Sequence, residues 1–227
     1  MSNLADVIEK IQKLLRVASS SDKAGEVAAA QLLAQQLITK YQIEEAQLHG
    51  SSVNGDIISI NVPVPSPYAN DKATLLNSIA LPNFCKVLQG DGFCLIFGYA
   101  SDVNLCVALY ELLVVHMVSE MSIKLKAEKA SHSGKFPTRE WIKSFFGGYA
   151  INIGLRIKQA KKDIIDGIDN QGKSLALVLR DKEHAIEDYW QNLVRGGGSK
   201  RKLGSLSGYN AGKKSAANAD LKQSKLK

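Results

Sequence analysis

The stretch CKVLQGDGFCLIFGYASD, residues 85–102, decides the fold. Cys85 to Leu88 and Phe93 to Tyr99 are apolar runs of strand length, separated by a Gly-Asp-Gly turn whose glycines permit the tight backbone reversal of a hairpin. Ser101-Asp102 then supplies helix-capping side chains. From Val103 to Val118 the chain is apolar on nearly every side of a helical projection, which predicts burial between two layers. Asn104, Glu111 and His116 interrupt this run, and it is too short to span a bilayer. It reads as a core helix, and no membrane partner is expected.

Upstream, Leu4, Val7, Ile8, Ile11, Leu14, Leu15 and Ala18 recur at helical spacing. Val27, Ala30, Ala34, Leu37, Ile38 and Tyr41 repeat the pattern after the Ser19-Ser20-Ser21-Asp22 break, giving an antiparallel helical hairpin. Ile57, Ile58, Ile60 and Val62 form a strand stopped by Pro63, Pro65 and Pro67, and a short helix is predicted over Asp71 to Leu81. Downstream, Thr138 opens a helix with the apolar stripe Ile142, Phe145, Phe146, Tyr149, Ile153 and Ile157. Asp166-Gly167 and Asn170 to Gly172 are turn signals, Leu175 to Leu179 is a candidate strand and Lys182 to Val194 a last helix.

The expected fold class is therefore α+β. An N-terminal helical hairpin, residues 1–45, packs on a small, mainly antiparallel sheet covered by two long helices, Ser101 to Lys129 and Thr138 to Ile165. Residues 46–194 are the body and form one cooperative unit with the hairpin; residues 195–227 are a basic, flexible tail.

Charge sets that tail apart. Arg195 to Lys227 holds nine of the 29 Lys and Arg but a single acid, Asp220, which leaves Met1 to Val194 with 20 basic and 21 acidic residues. A segment so rich in glycine and lysine does not bury enough apolar area to fold alone, and it suits polyanions. Lys200, Arg201, Lys202, Lys213 and Lys214 bracket Tyr209, so phosphate contact with a ring available for stacking is the expected use, with a merely solubilising terminus as the rival. Arg139, Lys143, Gly147, Ala150, Gly154, Lys158 and Lys161 also fall within one arc of their helix. Arg139 and Lys143 are secondary phosphate contacts on that reading. Glycine costs a helix about 1 kcal/mol, and close packing is the commoner compensation, so Gly147 and Gly154 are expected to admit a neighbouring helix.

Catalytic and metal signals are weak. Cys85, Cys94 and Cys106 are odd in number with no C-x-x-C spacing, which predicts reduced, buried thiols. Met1 to Lys10 lacks the apolar core of a signal peptide, so a cytoplasmic location is expected. His116 and Glu120 share a helix face at a spacing that suits a metal or a base with its orienter, but no HExxH accompanies them. Asp163, Asp166 and Asp169 recur every third residue, unlike calcium-loop ligands. No metal, cofactor or catalytic set is expected.

Lys10 to Leu15, Ala18, Glu26 to Ala30, Ala34 and Lys40-Tyr41-Gln42-Ile43 resemble the "domain of unknown function 2786" family of bacterial and bacteriophage proteins over roughly the first 45 residues. Phe97 to Val103 with Leu109-Tyr110, Ser144 to Ala150, and Tyr209 to Gly212 through Asp220-Leu221 resemble the region that follows that domain in phage members, with Ala216 standing where a second glycine is expected. The resemblance implies architecture and a phage or bacterial setting, in the host cytoplasm if phage-encoded, and transfers no activity. The function expected is non-catalytic DNA or RNA binding, mainly through the tail. A module docking on a host or phage protein is the alternative, and a hydrolase using His116 and Glu120 the second.

Overall fold

The structure, a computed structural model of the chain, describes residues 6, 9–10, 13, 37, 56–166, 172–193 and 204–218. Its elements are β1 (Ile57–Pro63), α1 (Ala69–Ala80), a 3-10 turn (Leu81–Asn83), β2 (Lys86–Gln89), β3 (Phe93–Tyr99), α2 (Ala100–Ser131), α3 (Thr138–Asp166), α4 (Gly172–Leu193) and α5 (Leu206–Asn218). This is the expected α+β class with its small antiparallel sheet.

The sheet has the order β1-β3-β2, antiparallel throughout. Gly92 takes φ of 75°, in the left-handed region that favours glycine, and the Gly90 N–H donates to the Phe93 carbonyl at 2.9 Å, closing the hairpin. Cys94 lies opposite Gln89, so Cys85 does not face it; all three thiols are free and buried, as expected. Pro63 ends the edge strand β1, where its missing N–H breaks no ladder bond to the interior.

Leu75, Leu76 and Ile79 of α1, Ile96 of β3, Val103, Cys106 and Met117 of α2, and Trp141, Phe145, Phe146, Tyr149, Ile153 and Ile157 of α3 form one core. Leu37 packs against it; the rest of the expected N-terminal hairpin lies outside the described residues, apart from exposed Asp6, Glu9, Lys10 and Lys13. α4 lies on the sheet through Phe97, whose ring centroid is 6.0 Å from Trp190 and 6.3 Å from Tyr189, and through a 2.6 Å Lys86–Glu187 ion pair.

Four expectations need correction. α2 is buried on most sides only near its start; Val115 is 69% and Ile123 55% exposed, because no second described layer covers that side. By length and composition alone, α2 is long enough and apolar enough to cross a membrane, while its buried face supplies the core. Leu175 to Leu179 belongs to the continuous helix α4, so the candidate strand is overridden by helical continuation through Leu193. Gly147 does not admit a neighbour: a Cβ there would meet nothing within 4 Å. Gly154 does, with the Ser78 carbonyl oxygen of α1 2.8 Å from where a Cβ would sit.

The last correction concerns the tail. Residues 206–218 are the helix α5, running parallel to α3 in close contact with it rather than forming a flexible appendix. Small residues recur every fourth position at Gly204, Gly208, Gly212 and Ala216. Cβ atoms on Gly208 and Gly212 would overlap the Trp141 and Phe145 carbonyl oxygens, and Ala216 is fully buried. α5 thus packs by backbone approach, which a search for large apolar side chains does not register. Arg195 to Leu203 and Ala219 to Lys227 lie outside the described residues.

Candidate nucleic-acid interface

The connection between α2 and α3, residues 132–137, is held from both sides. His132 N–H donates back to the Lys129 carbonyl at 3.4 Å, Thr138 N–H donates to the Phe136 carbonyl at 2.8 Å, and Trp141 N–H reaches the Pro137 carbonyl at 3.0 Å. Gly134 makes the bend with φ of 98°. Phe136 is half-buried, its ring 6.3 Å from that of Trp141 and 5.2 Å from that of exposed His132, with which it makes a T-shaped pair at 78°.

Cations gather around this turn. Residues 121–147 contain six, Lys124, Lys126, Lys129, Lys135, Arg139 and Lys143, against Glu128 and Glu140. Lys124 lies 3.8 Å from Glu120. The other five are exposed and form no ion pair with a described residue. The antiparallel course of α2 and α3 brings their basic ends to one end of the helical layer.

α5 joins that end. The Ser144 hydroxyl oxygen accepts from the N–H groups of Gly204 and Ser205, at 3.3 and 2.9 Å, and a Cβ on Gly204 would lie 3.2 Å from the Glu140 Cβ. Lys200, Arg201 and Lys202 precede Gly204 by two to four residues in the sequence and lie outside the described residues. Tyr209 is half-buried, its backbone carbonyl set against Gly148. Lys213 and Lys214 are exposed farther along α5, where Asn152 donates to the Lys213 carbonyl at 3.1 Å. Of the expected contacts, Arg139 and Lys143 share the turn end, whereas Lys213 and Lys214 stand about two helical turns away. Lys126, Lys129, His132, Lys135 and Phe136 were not anticipated; the signal available was the six-to-two charge excess around a loop.

The arc on α3 divides. Arg139, Lys143 and Lys158 are exposed, but Ala150 is buried, Gly154 is covered by α1, and Lys161 is only 8% exposed. The Lys161 ammonium donates to the Pro82 carbonyl at 3.0 Å and sits 4.0 Å from the Phe84 ring centroid. Burial lowers its pKa from the usual 10.5 to about 8, against the opposing pull of Asp102. The expected cap at Ser101-Asp102 is corrected: α2 begins at Ala100 after Tyr99, and Asp102, fully buried in its first turn, pairs with Lys182 at 2.6 Å. The Cys85 thiol donates to the Asn83 carbonyl at 3.5 Å, and the neighbouring Cys106 thiol together with burial pushes its pKa well above the usual value.

His116 and Glu120 lie where α2, α3 and α5 meet. The His116 Nδ1 is 2.9 Å from the Tyr149 hydroxyl, and Glu120 accepts from the Ser215 hydroxyl at 3.0 Å. Burial lowers the imidazole pKa, opposed by Glu120, and raises the Tyr149 phenol. These bonds fasten three helices, with the Ser215 hydroxyl on the Glu120 carboxylate and the Tyr149 hydroxyl at the imidazole. Among the described residues no group of three or more His, Cys, Asp or Glu converges as a metal site.

Residues 6–45 match the family described as "Protein of unknown function (DUF2786)". The match ends before β1, so the DUF2786 segment is the N-terminal stretch and the cationic end lies beyond it. No curated protein and no solved structure matches the chain.

Proposed function

We propose that this protein binds nucleic acid without catalysis, through the cationic end of its helical layer and the basic residues that lead into α5. The observation that carries this reading is the set of five exposed cations, Lys126, Lys129, Lys135, Arg139 and Lys143, with no ion-pair partner among the described residues. Unpaired cations clustered on one surface are solvated at little cost and release phosphate counterions when a polyanion arrives. Binding by the five, without the residues upstream of Gly204, gives a slope of log affinity against log salt of about 3 to 5. Fluorescence anisotropy with a labelled oligonucleotide across a salt series measures it. Charge reversal at Lys129, Arg139 and Lys143 together is expected to remove most of the slope, and a flat salt dependence of the parent refutes the reading.

A protein-docking module is the second reading. It is favoured by Ile151 and Leu155, 48% and 60% exposed on α3 beyond the open Gly147. Binding of this kind would be insensitive to the charge reversals.

A further inference from the structure

The cationic end carries one exposed ring in a fixed position. His132 stands three residues after Lys129 and three before Lys135, and its ring centroid lies 5.2 Å from that of Phe136 with the planes 78° apart. Phe136 in turn packs against Trp141, which is fully buried in the core. Backbone bonds on both sides of the loop, at Lys129 and at Phe136 and Pro137, order the segment between His132 and Arg139, the second residue of α3. With the two ring planes 78° apart, Phe136 does not stack on the His132 ring, which is exposed and keeps at least one face open.

We propose that this loop selects single-stranded over duplex nucleic acid by stacking an unpaired base on His132 while Lys129, Lys135 and Arg139 hold the flanking phosphates. The inference rests on the nucleic-acid reading above and goes beyond it by naming the form of the ligand. The physical distinction is simple. In a duplex the base faces are already stacked on one another, so a ring at the tip of a loop meets only backbone, and the surrounding lysines bind duplex and single strand by charge alone. In a single strand each base offers a face, and one base stacked on a ring adds about a five- to hundredfold gain in affinity, largely independent of sequence. The contact with Phe136 favours one placement of the His132 ring before the ligand arrives, which reduces the ordering left for binding. Because the ring and the cations ask only for a base face and phosphates, DNA and RNA single strands share the required chemistry.

The test uses the intact chain and fluorescein-labelled oligo-dT and oligo-rU of about 15 nucleotides, with a duplex of the same length as the third arm, in roughly 50 and 200 mM salt. His132→Ala is expected to weaken binding of at least one single strand fivefold or more and to leave duplex binding within about twofold. His132→Tyr, which keeps a ring, is expected to retain the single-strand preference, and since His132 is exposed both variants should keep the parent's melting temperature. Equal loss on single strand and duplex, or no change with His132→Ala while Lys135→Glu with Arg139→Glu weakens every arm, overturns the stacking inference and leaves the charge reading standing. Failure of the intact chain to bind any of the three ligands overturns both.

Discussion

Gly148 of α3 and Tyr209 of α5 meet backbone to backbone: a Cβ on Gly148 would sit against the Tyr209 carbonyl, 3.0 Å from its carbon and 3.2 Å from the Lys213 nitrogen. No side chain larger than hydrogen fits between the two helices at that point. The neighbouring Gly147, one helical step around the axis, faces open space. Two adjacent glycines therefore have opposite roles, and each makes a prediction.

Gly148→Ala is expected to destabilise the protein by about 2 kcal/mol through overpacking, while Gly147→Ala stabilises it by about 0.5 to 1 kcal/mol by removing backbone freedom from a helix interior. Denaturant midpoints of the two variants against the parent decide the matter. Similar effects at both positions would mean that α5 does not dock on α3 as described.

Removing residues 204–227 is expected to cost the body stability, since it strips α5 from α3 and deprives Glu120 of Ser215. Lys213→Gln with Lys214→Gln removes two charges from the same helix without touching its buried side, because both lysines are exposed. The truncated chain should melt lower and open new protease sites in α3, and the double variant should melt with the parent. A truncated chain as stable as the parent would return this segment to the status of an appendix.

Lys161 gives a pH signature. Its folded pKa is depressed to about 8 from the usual 10.5, so between those values the unfolded state binds more protons and the lysine's contribution to stability rises with pH. Below pH 8 both states are protonated and the folded chain carries the full penalty of a buried ammonium, on the order of 3 kcal/mol, offset by the Pro82 carbonyl and the Phe84 ring. Lys161→Met should be at least as stable as the parent at neutral pH and should lack the parent's gain between about pH 8 and 10. Parallel curves for the two proteins across that window would contradict the burial of a charged amine.

Asp102→Ala strands the Lys182 ammonium, 8% exposed, without its 2.6 Å carboxylate. Breaking a buried pair from one side costs about 3 to 5 kcal/mol. Replacing both partners with apolar residues should restore most of that loss, and a double-mutant cycle in chemical denaturation measures the coupling. Additive losses would show that the two groups do not interact.

Much of the fold is legible locally. The hairpin at Cys85 to Tyr99, the helix opening at Thr138 and the stripe of Phe145, Phe146, Tyr149, Ile153 and Ile157 all follow from period and turn chemistry within a few residues of one another. Trp141 escapes the stripe although it is fully buried, because α5 and Phe136 cover a side of α3 that the helix's own pattern does not mark. The cationic end is half legible: Arg139 and Lys143 stand out on one helix, but only the turn between α2 and α3 brings Lys126, Lys129, His132 and Lys135 beside them.

By itself, the sequence determines the α+β class, the sheet's hairpin, the long helices and the reduced state of three thiols, since each is a property of short-range pattern or residue type. Tertiary structure alone decides that Gly148 and not Gly147 is close-packed, that Lys161 is buried while Lys143 is exposed, and that Leu206–Asn218 docks as a helix instead of trailing as a basic tail. The reason is geometric. Periodicity fixes which residues share a face, but which face meets a neighbour, and how closely, depends on a second segment far along the chain, and where the contact is made by backbone through glycine there is no apolar side chain to announce it.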